Sequence, residues 1–244
     1  MSARAGRFRA APRTLNASIA WLFMIGAGCF ALGAIPWYAS GVGPTADALT
    51  FFVGSLFFTT ASFRQLLQAQ SPGMAPEEAG EDDRRPRPLV MLAWLPGDRG
   101  WSSAASQFPG TLAFNVSTLF AVNASLTMQQ AHRLVWRPDV VGSVLFLASS
   151  AFGVVAARSA GSAPGAGPLP RRVAWTNMLG SIFFMASAIA STVVPWTGLV
   201  LDDRWLALGT FLGAVCFFIA AWLLLPAWRA ARAAATQAPS VREP

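Results

Sequence analysis

Apolar residues gather along the chain into six long runs separated by polar, charged or Pro-rich stretches. The runs fall at Leu15–Trp37, Ala46–Leu66, Phe108–Met128, Pro138–Ala157, Val173–Pro195 and Trp205–Pro226. Each has about the 20 residues that an α-helix needs to cross a hydrocarbon layer. The pattern predicts an all-α fold, a polytopic six-helix transmembrane bundle. Its expected organisation is a basic N-terminus (1–14), a transmembrane hairpin of helices one and two (15–66) and a loop with an interfacial segment (67–107). A second hairpin (108–157), a shorter loop (158–172), a third hairpin (173–226) and a disordered tail (227–244) complete it.

Every run carries the same nine-residue pattern: Gly, a small residue, Phe four positions after the Gly, and two small residues three and four positions beyond that Phe. The defining pairs are Gly26 and Phe30, Gly54 and Phe58, Gly110 and Phe114, Gly142 and Phe146, Gly180 and Phe184, and Gly213 and Phe217. On a helix the first, fifth and eighth positions share a face, making a stripe of groove, knob and groove. Lipid supplies no hydrophobic drive between helices, so close approach at small residues must provide the contact. The motif is therefore expected to be an assembly device in which a Phe of one helix fills the notch of a neighbour. Two duplications account for it. One multiplies a two-helix hairpin; the other is an inverted 3+3 repeat, suggested by GSLFF from Gly54 and GSIFF from Gly180.

Composition fixes the orientation expected of the bundle. The chain is 54% hydrophobic and 12% charged, and its eighteen basic residues are all Arg, a bias expected of a GC-rich bacterial genome. Fifteen of them fall on the side of the N-terminus, leaving Arg133, Arg137 and Arg204 on the other. The positive-inside bias then places both termini in the cytoplasm, in a bacterial cytoplasmic (inner) membrane. The +7 net charge reads as topology and attraction to anionic lipid headgroups, not as nucleic-acid binding. The first run is too long for the apolar core of a cleavable signal, so it is expected to stay as a span. Trp37, Trp136, Trp175, Trp196, Trp205 and Trp228 stand at run ends, where an indole suits headgroup depth. Between the second and third runs, acidic Glu77–Asp83 and basic Arg84–Arg87 read as a solvated linker, and Leu89–Leu95 as a segment lying along the interface with Trp94 and Trp101 as anchors.

The stretch from Asn16 to Leu66, with Trp21-x-Phe23 before Gly26 and Phe51-Phe52-Val53-Gly54-Ser55, resembles the YrhK-like bacterial membrane module, a two-helix unit. Trp175–Pro226, with Asn177-Met178-Leu179-Gly180-Ser181 and Gly209-Thr210-Phe211-Leu212-Gly213, looks like a further version. The resemblance covers somewhat less than half the chain and implies a multi-pass membrane protein without an established activity.

Candidate chemistry concentrates in the third run. Asn115, Thr118, Ser125 and Gln129 follow one line down a helix, interrupted by Val122, and form a candidate polar path; interhelical hydrogen bonding is the competing reading. His132 is the only histidine, too little for a zinc site, and reads as a surface residue. Asp139 follows Pro138 at the start of the fourth run and reads as a helix cap, with pairing to Arg133 or Arg137 as the alternative; Asp202 and Asp203 suit the same capping role before Trp205. Cys29 and Cys216 occupy the fourth position of the repeat and read as packing residues. No catalytic, metal or cofactor motif stands out, so no cofactor is expected and an enzyme is disfavoured. The sequence favours a non-enzymatic module that interacts with lipid, a membrane partner protein or a second copy of itself. A small channel or uncoupled carrier using the third-run path is the alternative.

Overall fold

A computed structural model of the chain describes residues 5–79, 82–160, 167–193 and 200–237. A strand, β1 (Ala5–Ala10), leads into α1 (Pro12–Gly33), which has Pro at its first position, where a missing N–H costs nothing. A short α2 (Pro36–Val42) turns the chain, and Gly43, at φ 83°, separates it from α3 (Pro44–Ala69). One turn of helix, α4 (Pro76–Ala79), and a strand, β2 (Arg87–Val90), precede α5 (Arg99–Ala121). Next come α6 (Met128–Ala131), a π-helical turn (His132–Trp136) and α7 (Arg137–Ala160), which run on as one rod. The last helices are α8 (Leu169–Ala190) and α9 (Asp203–Gln237).

The fold is all-α apart from one two-stranded sheet, in which β1 pairs antiparallel with β2. The six long helices close into a ring. Each packs on its neighbours in chain order, α1 on α3, α3 on α5, α5 on α7, α7 on α8 and α8 on α9, and α9 returns to α1. Neighbours run antiparallel: Ser55 meets Thr118 while Phe63 meets Phe108, and Trp136 meets Ala188 while Ser150 meets Ser181. One face of the ring therefore carries both termini of the described chain and the sheet; the opposite face carries the short turns.

The repeat sorts residues between the inside and the outside of this ring. Its second position, Ala27, Ser55, Thr111, Ser143, Ser181 and Ala214, is fully buried in all six helices, and its Phe is buried in all six. Its third position is exposed in four of them as Leu56, Leu112, Val144 and Ile182. Small and hydroxyl side chains inside with branched aliphatics outside is the inverse of a water-soluble core and suits a lipid surround. Among the described residues, five segments are long and apolar enough to cross a membrane: α1, α3, Met128–Ala160, α8 and Asp203–Ala233. The third expected span is the exception, because α5 carries too many hydroxyl and amide side chains to meet that measure.

Several sequence expectations need correction. Helix α5 begins at Arg99 and ends at Ala121, about two turns earlier than the third apolar run. Asp98 caps it by accepting from the Trp101 N–H at 3.1 Å, and Pro109 is carried within it. Of the segment expected along the interface, Leu89 and Val90 belong to β2, where Val90 N–H donates to Ser71 Oγ and Gln70 Nε2 donates to Val90 O. The expected linker is ordered there by Arg87, which donates to the carbonyls of Gly73 and Ala79. Nor is the start of the tail disordered: α9 continues to Gln237, and Arg232 makes an ion pair with Asp83. Trp196 lies outside the described residues.

Candidate functional site

Within each of the three helix hairpins the glycines of the repeat meet face to face. A Cβ placed on any of Gly26, Gly54, Gly110, Gly142, Gly180 or Gly213 would lie between 2.9 and 3.3 Å from the carbonyl oxygen of the facing glycine, too close for Ala without movement. This contact lets the backbones of α1 and α3, α5 and α7, and α8 and α9 nearly touch, and it aims the paired Phe side chains at the ring axis. Phe30 meets Phe58 at 5.4 Å between centroids, Phe114 meets Phe146 at 5.2 Å, and Phe184 meets Phe217 at 5.1 Å, all near edge-to-face.

The six rings form two stacked layers. Phe58, Phe146 and Phe217 touch one another at 5.6 to 6.4 Å and lie nearer the face with the termini. Phe30, Phe114 and Phe184 lie nearer the opposite face, with Phe184 bridging the other two at 5.8 and 5.9 Å. Edge-to-face geometry suits the ring quadrupole, and each such pair contributes about 0.5–1.5 kcal/mol beyond area burial. Together the rings plug the axis.

Above the plug, toward the short turns, lies a chamber of ≈ 480 Å³. Its floor is Phe30 and Phe114, and its polar wall includes Thr118, Asp139, Ser187, Thr210 and His132. The hydroxyls are engaged: Thr118 Oγ1 donates to Phe114 O (2.7 Å), and Ser187 Oγ and Thr210 Oγ1 donate to Leu206 O (2.8 and 2.9 Å). Asp139 is different. It makes no hydrogen bond or ion pair among the described residues, so neither Arg133 nor Arg137 is its partner. It is not a cap either, because the rod that contains it starts at Met128. There Thr127 and Gln130 form a capping box, and the π-helical turn carries the helix past Arg137 and Pro138. His132 stacks on Trp136 at 4.8 Å, and the Trp136 indole N–H donates to Ala188 O at 3.1 Å, tying the turn to α8. Below the plug, against Phe146 and Phe217, a small cavity of ≈ 40 Å³ is lined by Gln65, Ser103, Gln107, Ser149, Ser150 and Asn177 among others, room for about one or two waters.

The four residues of the expected path do not form one line. Thr118 faces the chamber and lies 3.0 Å from Ser55 Oγ. Asn115 is half-buried, and its Oδ1 has no hydrogen-bond partner. Ser125 lies in the turn after α5, exposed, where its N–H and Oγ both donate to Asn123 Oδ1. Gln129 is exposed on α6. Asp202 does cap α9, accepting from the N–H groups of Arg204 and Trp205 at 2.9 and 3.0 Å. Cys29 and Cys216 are free thiols set against Gly54 and Gly180 of the facing helices. Among the described residues, no three His, Cys, Asp or Glu side chains come together to hold a metal.

Apolar helices of this length and number fit an integral membrane protein. No protein-family model, curated protein or solved structure matches the chain.

Proposed function

We propose that the chain is a six-span, non-enzymatic membrane module that binds a small cationic solute in its chamber and does not conduct along its axis. The observation that carries this reading is the juxtaposition of an unpartnered carboxylate, Asp139, with a chamber whose floor is closed by two layers of Phe. Asp139 with an aromatic floor suits a cation, because a carboxylate and the face of a Phe ring both attract positive charge. The engaged hydroxyls support binding over chemistry, since Thr118, Ser187 and Thr210 are each held to a backbone carbonyl and to a neighbouring hydroxyl. In this reading α5 is the sixth span: it turns Ser102, Thr111, Ser117 and Thr118 into the ring and exposes Leu112, Val116 and Leu119. The Arg asymmetry supports cytoplasmic termini in a bacterial membrane and a chamber that opens outside. The three hairpins support the likeness to tandem YrhK-like units.

A gated conduit is the second reading, favoured by the polar cavity on the far side of the same plug. Thiol labelling separates the two. With Cys29 and Cys216 replaced by Ala, Thr118→Cys is expected to react with a charged external reagent and Ser150→Cys to stay protected. Addition of tetramethylammonium should slow labelling at position 118, and Asp139→Asn should abolish that protection. Labelling at both positions would refute the closed axis; labelling at position 118 unaffected by the cation would refute the solute class.

A further inference from the structure

A second cavity, of ≈ 530 Å³, lies at the other end of the bundle, where the first turns of α1 meet the last turns of α9. Its wall includes Arg13, Arg229, Arg232, Asp83, Asn16 and Trp228. Three guanidinium groups face one carboxylate, and that carboxylate is taken: Asp83 is buried in its ion pair with Arg232. Arg13 gives Asp83 only its backbone N–H, at 3.1 Å to the carbonyl oxygen. The guanidinium groups of Arg13 and Arg229 have no acidic partner among the described residues.

The interior of the wall has the same shortage of acceptors. Asn16 is only 4% exposed, and its side chain makes no hydrogen bond among the described residues. Trp228 is 5% exposed, and its indole N–H has no acceptor among the described residues. A buried polar group left without a partner costs on the order of 1–3 kcal/mol, so the Trp228 N–H beside two uncompensated cations, with the Asn16 side chain on the same wall, describes a pocket that lacks an anion. The depth is also informative. Arg13 is the second residue of an apolar helix and Arg229 follows Pro226 near the end of the apolar part of another, so both lie near headgroup level. Trp21, 60% exposed, and Leu225 continue the cavity into the outward apolar surface of the ring.

We propose that this cavity binds the phosphate of an anionic phospholipid, with Arg13, Arg229 and Arg232 as its cationic wall and the acyl chains lying along Trp21 and Leu225. Arginine suits the task because its planar fork of donors matches two phosphate oxygens. The site is distinct from the chamber and stands or falls without it.

The test is native mass spectrometry of the delipidated full chain titrated with phosphatidylglycerol, with phosphatidylcholine as the neutral counterpart and inorganic phosphate alone as the soluble counterpart, the latter read by thermal shift. Phosphatidylglycerol is expected to bind preferentially. Arg13→Gln and Arg229→Gln should each weaken it about tenfold, the worth of one charge-assisted contact. Arg204→Gln, on the opposite face, should leave it unchanged. Both arginines are exposed, so neither variant threatens the fold. Equal binding of the two lipids, or wild-type binding by Arg13→Gln and Arg229→Gln, would overturn the site. A thermal shift with inorganic phosphate matching that with phosphatidylglycerol would overturn the lipid as its occupant.

Discussion

Phe146→Ala probes the plug most directly. Phe146 is 2% exposed and touches Phe114, Phe217 and Phe58 at 5.2, 5.6 and 6.4 Å. In water a buried Phe→Ala change costs about 3–5 kcal/mol, part of which is the transfer of the ring out of water. In lipid that part shrinks, because the alternative surroundings are also hydrocarbon. The cavity remains: roughly 100 Å³ of lost ring volume at about 24 cal/mol per Å³ gives about 2.4 kcal/mol. Three aromatic contacts at about 0.5–1.5 kcal/mol each describe much of the same loss by another route, so the two are not added, and about 2–4 kcal/mol is expected. Val144→Ala, two residues away and 50% exposed, is the control, with an expected change within about 0.5 kcal/mol. Reversible unfolding in mixed micelles, followed by near-ultraviolet circular dichroism, measures both. If the two variants unfold alike, the Phe cluster is not what holds the ring closed. The same truncation opens only the lower layer, so the layer of Phe30, Phe114 and Phe184 should keep Ser150→Cys protected from the chamber side.

Two other comparisons test the packing and the ion pair. Gly54→Ala would place a methyl 2.8 Å from Cys29 Cβ and 3.1 Å from Gly26 O, so it should destabilise by about 1–3 kcal/mol, whereas Gly28→Ala, with no atom within 4 Å, should be neutral or stabilising by up to about 1 kcal/mol; denaturation midpoints in detergent compare them, and equal effects would refute the glycine contact. Arg232→Ala strands the buried Asp83 carboxylate and should cost about 3–5 kcal/mol, while Asp83→Asn leaves an Arg232 side chain already 35% exposed and able to reach water, and should cost less. Thermal unfolding of the two variants gives the order, and the reverse order would show that Asp83 is not the buried partner.

Five membrane-length apolar helices were legible because a run of apolar residues is a local signal, and the inward role of the repeat was legible because its stripe is local too. What escaped the sequence is non-local. β1 and β2 are short strands about eighty residues apart in sequence, and Arg87 and Asp83 look like members of a solvated charge run until the carbonyls and the guanidinium that they meet are in place. The third long helix was misplaced because its first turns carry Ser102, Ser103, Ser106 and Gln107, polar side chains that keep those turns out of the apolar run. Asp139 was misread for a definite reason. Pro138 suits the first turn of a helix, which made the next residue look like part of a helix start. The chain instead widens into a π-helical turn ahead of Pro138, whose ring lacks an N–H and crowds the preceding turn, and so carries the rod through. Of the expected path, only Thr118 reaches the chamber, because Asn123 ends the helix by accepting from Ser125 before Gln129 is reached.

The face-to-face glycine contact explains why one motif serves helices that run in opposite directions. In an antiparallel pair joined this way, Gly26 is the groove for Phe58 while Gly54 is the groove for Phe30, so each helix must present the same residues to the other. Likeness between GSLFF in α3 and GSIFF in α8 then follows from a contact that reads the same from either side, and an inverted 3+3 repeat is not needed to account for it. Three such hairpins also make the interior nearly threefold, which turns departures from the repeat into information. Three residues before the repeat glycine of α3, α7 and α9 stand Phe51, Asp139 and Thr210, and all three line the chamber. In the first hairpin Phe51 packs into the notch at Gly33, where a Cβ would lie 2.6 Å from its ring, and fills that third of the space. In the third hairpin Thr210 is held by Ser187 and Leu206. Only in the second is the equivalent position a carboxylic acid, and one with no side-chain partner among the described residues. A scaffold that repeats its packing six times has little reason to place a carboxylate at one of three equivalent positions for the sake of packing, and that inequality is the strongest ground for placing a ligand beside Asp139.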